Sequence, residues 1–296
     1  MLGRVRLYLE LVRFSHTIFA LPFALLSAVL AWQSPGGEFR WSDLFGILLC
    51  MVFARNAAMA TNRLADRRFD AANPRTAGRH LPAGLLSVRS VAYLLAECVV
   101  AFFASTLLFL IRDPPNWWPL VLAGPVIVFI CAYSFTKRFT ALAHFWLGAS
   151  LMLAPLATWI AIRGMEDLLT PTVIGLAVMF WVAGFDILYA CQDVDVDRRL
   201  KLYSVPAKLG VPAALRLAMA CHAVTAGLLI ALFFVAPPLK HVYLAGIGAV
   251  IALLIYEHSL VRADDLSRVN RAFFQVNGVI SIGLFLLVLL QLAVGW

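Results

Sequence analysis

Two short runs hold most of the chemistry this sequence offers. One reads Asn62-Arg63-Leu64-Ala65-Asp66-Arg67-Arg68-Phe69-Asp70, the other Gln192-Asp193-Val194-Asp195-Val196-Asp197. In the first, Asn62, Asp66 and Asp70 stand at i, i+4 and i+8, so a helix would carry all three on one face. In the second, Asp193 and Asp197 repeat the i, i+4 spacing, while Asp195 points off that face. Asp66 and Asp193 are separated by 127 residues, and so are Asp70 and Asp197. Each pair is followed by arginines (Arg67-Arg68, Arg198-Arg199) and then by a proline and a glycine (Pro82 and Gly84, Pro206 and Gly210). Crowded carboxylates repel, by about 1 kcal/mol or more per close pair at the effective dielectrics of a protein surface or water. A divalent cation removes that repulsion. All-oxygen ligands favour Mg2+ over a transition metal, and Mg2+ usually takes a few carboxylates together with substrate phosphates. Two Asp clusters with Arg and Lys around them therefore read as a diphosphate clamp. Solvated aspartates balancing nearby arginines would explain one such run, but not two with the same flanks.

The elements that must carry these runs are apolar. Of 296 residues, 62% are hydrophobic and 14% charged, and the mean hydropathy is +0.88. A soluble domain carries roughly a quarter charged residues, so no sizeable water-soluble domain fits. The expectation is one all-α integral membrane bundle spanning 1–296 as a single transmembrane domain. Runs of about 20 apolar residues suit a spanning helix. Nine are found: Phe14–Gln33, Trp41–Thr61, Arg89–Ile111, Trp117–Phe135, Ala141–Ile162, Pro171–Ala190, Pro212–Ala236, Lys240–Leu260 and Ala272–Trp296. The first reads as a retained helix rather than a cleaved signal, being too long and lacking a small-residue cleavage site. The stretches 62–88 and 191–211 read as long charged loops. Helices 1–4 and 5–8 then form a pseudo-repeat with the ninth appended, and repeats of this kind share a site where the halves meet.

Charge sets the expected orientation. With the N-terminus inside, eighteen of the 24 Lys and Arg fall on the inner side and four on the outer. That asymmetry places the N-terminus and both acidic stretches in the cytoplasm. The net charge of +8 is thus spread over the inner loops and does not form a nucleic-acid face. Five scattered cysteines, with no CxxC or Cys/His metal spacing, make both zinc and disulfides unexpected.

The motifs resemble those of the UbiA family of intramembrane aromatic prenyltransferases. That family carries an NDxxDxxxD motif after helix 2 and DxxxD after helix 6 of a nine-helix bundle. Here the counterparts are Asn62, Asp66 and Asp70, and Asp193 and Asp197. The stretches Asn73–Gly84, Asp186–Asp193, Ser204–Gly210 and Tyr133–Arg138 are also similar to the family's. Arg63 departs from the pattern, standing where many members have a second acid. Asn-Arg resembles a bacterial 4-hydroxybenzoate polyprenyltransferase-like branch, some members of which use a naphthoate acceptor.

The resemblance implies Mg2+-dependent transfer of a polyprenyl group from an allylic polyprenyl diphosphate to an aromatic acid, in ubiquinone or menaquinone synthesis. It implies Asn62, Asp66, Asp70, Asp193 and Asp197 as metal ligands, with Arg67, Lys137 and Arg138 on the phosphates. Ionisation of the donor would leave an allylic cation, which Tyr133 and Tyr189 could face. Asp186 lies seven residues before Asp193, about 10 Å deeper along the helix. An ionisable group at that depth is costly and marks function, and the resemblance implies that Asp186 is the candidate to hold or deprotonate the acceptor's phenol. Arg55, similarly deep, either pairs with Asp186 or receives the acceptor carboxylate. His16 and Arg13 are weaker acceptor candidates, and His144 and Glu97 are expected to be satisfied structural residues. The membrane is expected to be a bacterial inner membrane. Haem- or chlorophyll-type prenyl transfer is an alternative. A secondary transporter fits less well, because its charges would lie at the midplane rather than at one face.

Overall fold

The computed structural model describes Leu7, Tyr8, Glu10, Leu11 and residues 19–295; Arg13, His16 and the start of the first apolar run lie outside these. Among the described residues the regular structure is helical: α1 Leu21–Gln33, α2 Trp41–Ala72, α3 Val88–Thr106, α4 Trp118–Thr136, α5 Ala143–Arg163, α6 Leu169–Ala190, α7 Val194–Arg199, α8 Val205–Leu209, α9 Val211–Val235, α10 His241–Leu260, α11 Val269–Arg271 and α12 Asn277–Val294. A 3-10 turn, Cys191–Asp193, joins α6 to α7, and a π-turn, Ala272–Val276, joins α11 to α12. Eight helical stretches among the described residues are long and apolar enough to cross a membrane, and α1 is a shorter apolar helix. The expected all-α membrane architecture is what the chain adopts.

Two boundaries differ from the sequence reading. The charged stretch expected as a loop from 62 is helical to Ala72, continuing α2 without interruption. The stretch after 190 is likewise ordered as the 3-10 turn, α7 and α8. In both cases apolar content marks where the membrane ends, not where the backbone hydrogen bonds end.

The described chain forms two compact units. The first contains α2, α3 and α4. Leu11, Ala60 and Val91 are its buried centre at one end, with Tyr8, Leu64, Leu81, Leu86, Leu94 and Leu95 packed around them. The α2 residue Thr61 donates its hydroxyl to Cys131 Sγ of α4 at 3.4 Å. At the opposite end of α2, buried Asp43 lies 3.9 Å from Arg112.

The second unit contains α1 and α5–α12. Its centre is α6, which buries Trp181, Val182, Ala183, Phe185, Ile187 and Leu188. Gly148 of α5 lets the two helices close, because a Cβ there would strike the Met179 carbonyl of α6. Helix α1 joins this unit through Ser27, whose hydroxyl donates to Pro155 O at 2.7 Å. That carbonyl belongs to a proline inside α5.

Candidate active site

The first acidic run lies at the C-terminal end of α2. Asp66 and Asp70 are each 7% exposed and Arg63 5%. Arg63 Nε donates to Leu11 O at 3.3 Å, and its Nη1 donates to Asn62 Oδ1 at 3.3 Å. The Asn62 amide is thereby oriented, and its Nδ2 donates to Asp66 Oδ2 at 2.9 Å, the i, i+4 contact expected on one helix face. Arg63, the position that departs from the family motif, thus aligns the amide of the residue before it.

Asp70 is held from the following turn. Asn73 Oδ1 accepts from Arg75 N at 3.0 Å, and Thr76 Oγ1 donates to Asp70 O at 3.1 Å. This Asx-type turn brings Arg79 back to donate from Nη1 to Asp70 Oδ1 at 2.7 Å. Asp70 Oδ2 is buried and lacks a hydrogen-bond partner among the described residues. A buried bare carboxylate oxygen is costly and calls for a cation. Arg79 was not singled out in the sequence; Arg67, which was, is exposed and donates to Leu64 O of its own helix at 3.0 Å. Arg55 sits two turns before Asn62 on α2, half-buried, and Tyr133 is half-buried on α4.

The second acidic run follows α6. Asp193 ends the 3-10 turn and is the N-cap of α7, so it stands just outside the helix that carries Asp197. Asp197 is 5% exposed, whereas Asp195 is exposed, matching its off-face position. Ser204 hydrogen-bonds the Asp197 side chain, and Lys137, His144 and Asp193 are its charged or polar neighbours. Lys137 is fixed by its own backbone, since Tyr203 N–H donates to Lys137 O at 2.7 Å. Arg138 is half-buried beside it in sequence.

Deeper in α6, Asp186 Oδ2 meets His144 Nδ1 at 2.7 Å. The partner of Asp186 is therefore His144, where the sequence offered Arg55. The other nitrogen of His144, Nε2, accepts from Val205 N–H at 3.2 Å, so both ring nitrogens have partners. Forty-two residues separate Asp186 and His144, so no local spacing could reveal the pair. Tyr189 packs on Phe273, ring centroids 4.3 Å apart, and Phe273 and Phe274 come from the π-turn. Glu97 is exposed on α3, its helix face turned outward.

Among the described residues no three His, Cys, Asp or Glu side chains converge as a ready-made metal cage. Such a cage is unnecessary for Mg2+, which keeps waters and completes its shell with phosphate oxygens. The oxygen-only donors and the bare Asp70 Oδ2 fit a cation delivered with a phosphate-bearing ligand.

Apolar helices of membrane length define an integral membrane protein, and buried carboxylates collect at two of its helix ends. Residues 20–289 match the UbiA prenyltransferase family, so the chain belongs to that family and is a polyprenyltransferase. It is 29% identical over 280 residues to a 4-hydroxybenzoate octaprenyltransferase of Aromatoleum aromaticum, covering 94% of this chain and 91% of that protein. The apo structure of a UbiA homolog from Aeropyrum pernix K1 is similar with a TM-score of 0.82 and 32% identity, covering 93% of this chain and 97% of the other. A UbiA homolog from Archaeoglobus fulgidus bound to GPP and Mg2+ shares the fold with a TM-score of 0.73 at 20% identity, over 97% and 99% of the two chains.

Proposed function

We propose that this enzyme transfers a polyprenyl group from an allylic polyprenyl diphosphate to an aromatic acid, 4-hydroxybenzoate or a related dihydroxynaphthoate, in quinone biosynthesis. The observation that carries the donor chemistry is the buried Asp70 carboxylate, bound by Arg79 on one oxygen and bare on the other. The names of the relatives support the acceptor. GPP and Mg2+ in the Archaeoglobus homolog support the donor and the metal.

Asn62, Asp66, Asp70, Asp193 and Asp197 would hold Mg2+ with the diphosphate. When bound, the ion neutralises charge that builds on the leaving diphosphate. Arg67, Lys137 and Arg138 hydrogen-bond the phosphate oxygens as that charge grows. As the allylic C–O bond breaks, the prenyl carbon bonds to a ring carbon of the acceptor, and the ring then loses its proton. Asp186 orients the acceptor hydroxyl, can take its proton as the ring attacks, and returns it to that oxygen as the ring carbon's proton leaves to solvent. Arg55 receives the acceptor carboxylate, and Tyr133 and Tyr189 shield the electron-poor prenyl carbon from water. Both acidic runs and the N-terminus face the cytoplasm of a bacterial inner membrane.

The test uses the purified full chain in lipid discs with prenyl diphosphates of several lengths and a panel of aromatic acids. Prenylated acid and free diphosphate should appear in equal amounts with Mg2+ and stop with EDTA. Product that persists in EDTA, or no product with any aromatic acid, rejects the reading.

A further inference from the structure

We propose that His144 is a positioning residue that ties the acceptor carboxylate Asp186 to the turn that holds Asp197. The inference rests on the acceptor and donor roles proposed above for those two aspartates. It starts from a proton that geometry assigns. A backbone N–H can only donate, so the 3.2 Å contact from Val205 N leaves His144 Nε2 as an acceptor without hydrogen. The neutral ring then carries its hydrogen on Nδ1 and donates it to Asp186 Oδ2 at 2.7 Å. Oδ2 of Asp186 is thus occupied, and Oδ1 is the atom left for the acceptor hydroxyl. Protonating Nε2 would require breaking the Val205 contact, so a proton taken by Asp186 stays on the carboxyl and does not pass through the ring.

The second contact reaches the other aspartate. Val205 begins α8, and the residue before it, Ser204, is its N-cap. Ser204 accepts from Ala207 N at 3.3 Å through Oγ and hydrogen-bonds Asp197. His144 is 4% exposed at the start of α5 and braces Asp186 with one nitrogen and the 204–205 turn with the other. One rigid ring, with no rotatable bond between its nitrogens, sets where Asp186 and the Asp197 turn lie relative to each other.

Two substitutions divide the ring's contacts. The amide nitrogen of Asn falls near the Nδ1 position, so His144→Asn keeps a donor for Asp186 and loses the acceptor for Val205. The amide oxygen of Gln falls near Nε2, so His144→Gln keeps the acceptor for Val205 and loses the donor to Asp186. One variant leaves the Val205 N–H without an acceptor and the other leaves the charged Asp186 carboxylate without its donor, and stranding either group should read as about 10–100-fold. His144→Asn should raise the KM for the prenyl diphosphate while the acceptor KM stays within a few-fold. His144→Gln should do the reverse, raising the acceptor KM and lowering kcat while donor KM holds. Equal losses in both variants, or the opposite split, overturn the proposal. A readout independent of turnover is the 15N-histidine spectrum of the unaltered protein, with His144 assigned by the signal lost in either variant. It should show a protonated Nδ1 and a bare Nε2, and Asp186→Asn should shift the Nδ1 signal; a hydrogen on Nε2 overturns the proposal even if the enzyme is inactive on every acceptor. Inactivity of the unaltered chain, with the spectrum as expected, would instead reject the activity and leave the ring's bracing role standing.

Discussion

Arg79 closes back on Asp70 at 2.7 Å from nine residues further along the chain, and takes one carboxylate oxygen while the other stays bare. The pairing orients the acid without using up its capacity for a second cation. Partners that orient a metal-binding carboxylate are typically worth 10–100-fold in metal affinity or activity. Arg79→Ala should therefore raise the Mg2+ concentration needed for half-maximal turnover by about 10–100-fold. Arg79→Lys, which keeps the charge but not the guanidinium fork, should fall between. A Mg2+ titration of activity that is unchanged in Arg79→Ala would remove the role.

The four aspartates proposed to form the clamp should be far less tolerant. Asp66→Ala, Asp70→Ala, Asp193→Ala and Asp197→Ala should each lower kcat by about 10²–10³-fold or more, the scale on which loss of one charge-stabilising group is felt. Asp195 is exposed, and Asp195→Ala should stay within a few-fold of the unaltered enzyme. Near-normal turnover in two variants drawn from opposite runs would dismiss the clamp.

What the sequence made legible was local. Asn62, Asp66 and Asp70 share a face because helical periodicity is fixed at 3.6 residues per turn, and the apolar runs mark most spans to within a few residues. Contacts that depend on how helices rotate against one another were invisible. The His144–Asp186 pair joins two apolar helices 42 residues apart, and neither pattern signals which way its polar residue turns. Arg79 was hidden among the five arginines of the stretch 62–88, and only the Asx-type turn at Asn73 singles it out. The 3-10 turn at Cys191–Asp193 has no glycine or proline to announce it, so the second Asp pair reads as continuous helix where the backbone steps.

Gly184 and His222 offer a test of packing in the second unit. A Cβ at Gly184 would overlap the His222 ring. That ring cannot retreat cheaply, since Nε2 bonds Trp181 O at 3.2 Å and Nδ1 meets His258 Nε2 at 2.9 Å. Overpacking of this kind costs about 1–3 kcal/mol. Gly184→Ala should lower the Tm measured in detergent by several degrees, and an unchanged Tm would show that the ring has room to move.

Asn277 caps a different device in the same unit. Its Nδ2 donates to Glu257 Oε1 at 2.6 Å and to Ala272 O at 3.2 Å, joining α10 to the π-turn that presents Phe273 and Phe274. Glu257 and Asn277 are both fully buried. Asn277→Leu strands the carboxyl and the carbonyl together, and each unsatisfied buried group costs about 1–3 kcal/mol. Its Tm should drop further than that of Glu257→Gln, which keeps an acceptor for the amide. The reverse order would mean that the pair does not organise the turn.

Orientation can be checked without any assay of chemistry. The inner side of the proposed topology carries eighteen of the 24 basic residues, including Arg67, Arg68, Arg75 and Arg79 around the first acidic run. Lys and Arg near span ends favour the cytoplasm. Eight helical stretches are of membrane length, and α1 adds a ninth, shorter one. If α1 also crosses, the number of crossings is odd and the two termini lie on opposite sides. A reporter inserted near Gly84 should then read cytoplasmic, and one fused after Trp296 extracytoplasmic. Seven of the long stretches follow Gly84 and α1 is not among them, so a cytoplasmic signal at both sites would mean that one of those seven does not cross. The placement of α1 is read from a third reporter at the N-terminus, which should be cytoplasmic if α1 crosses and extracytoplasmic if it does not.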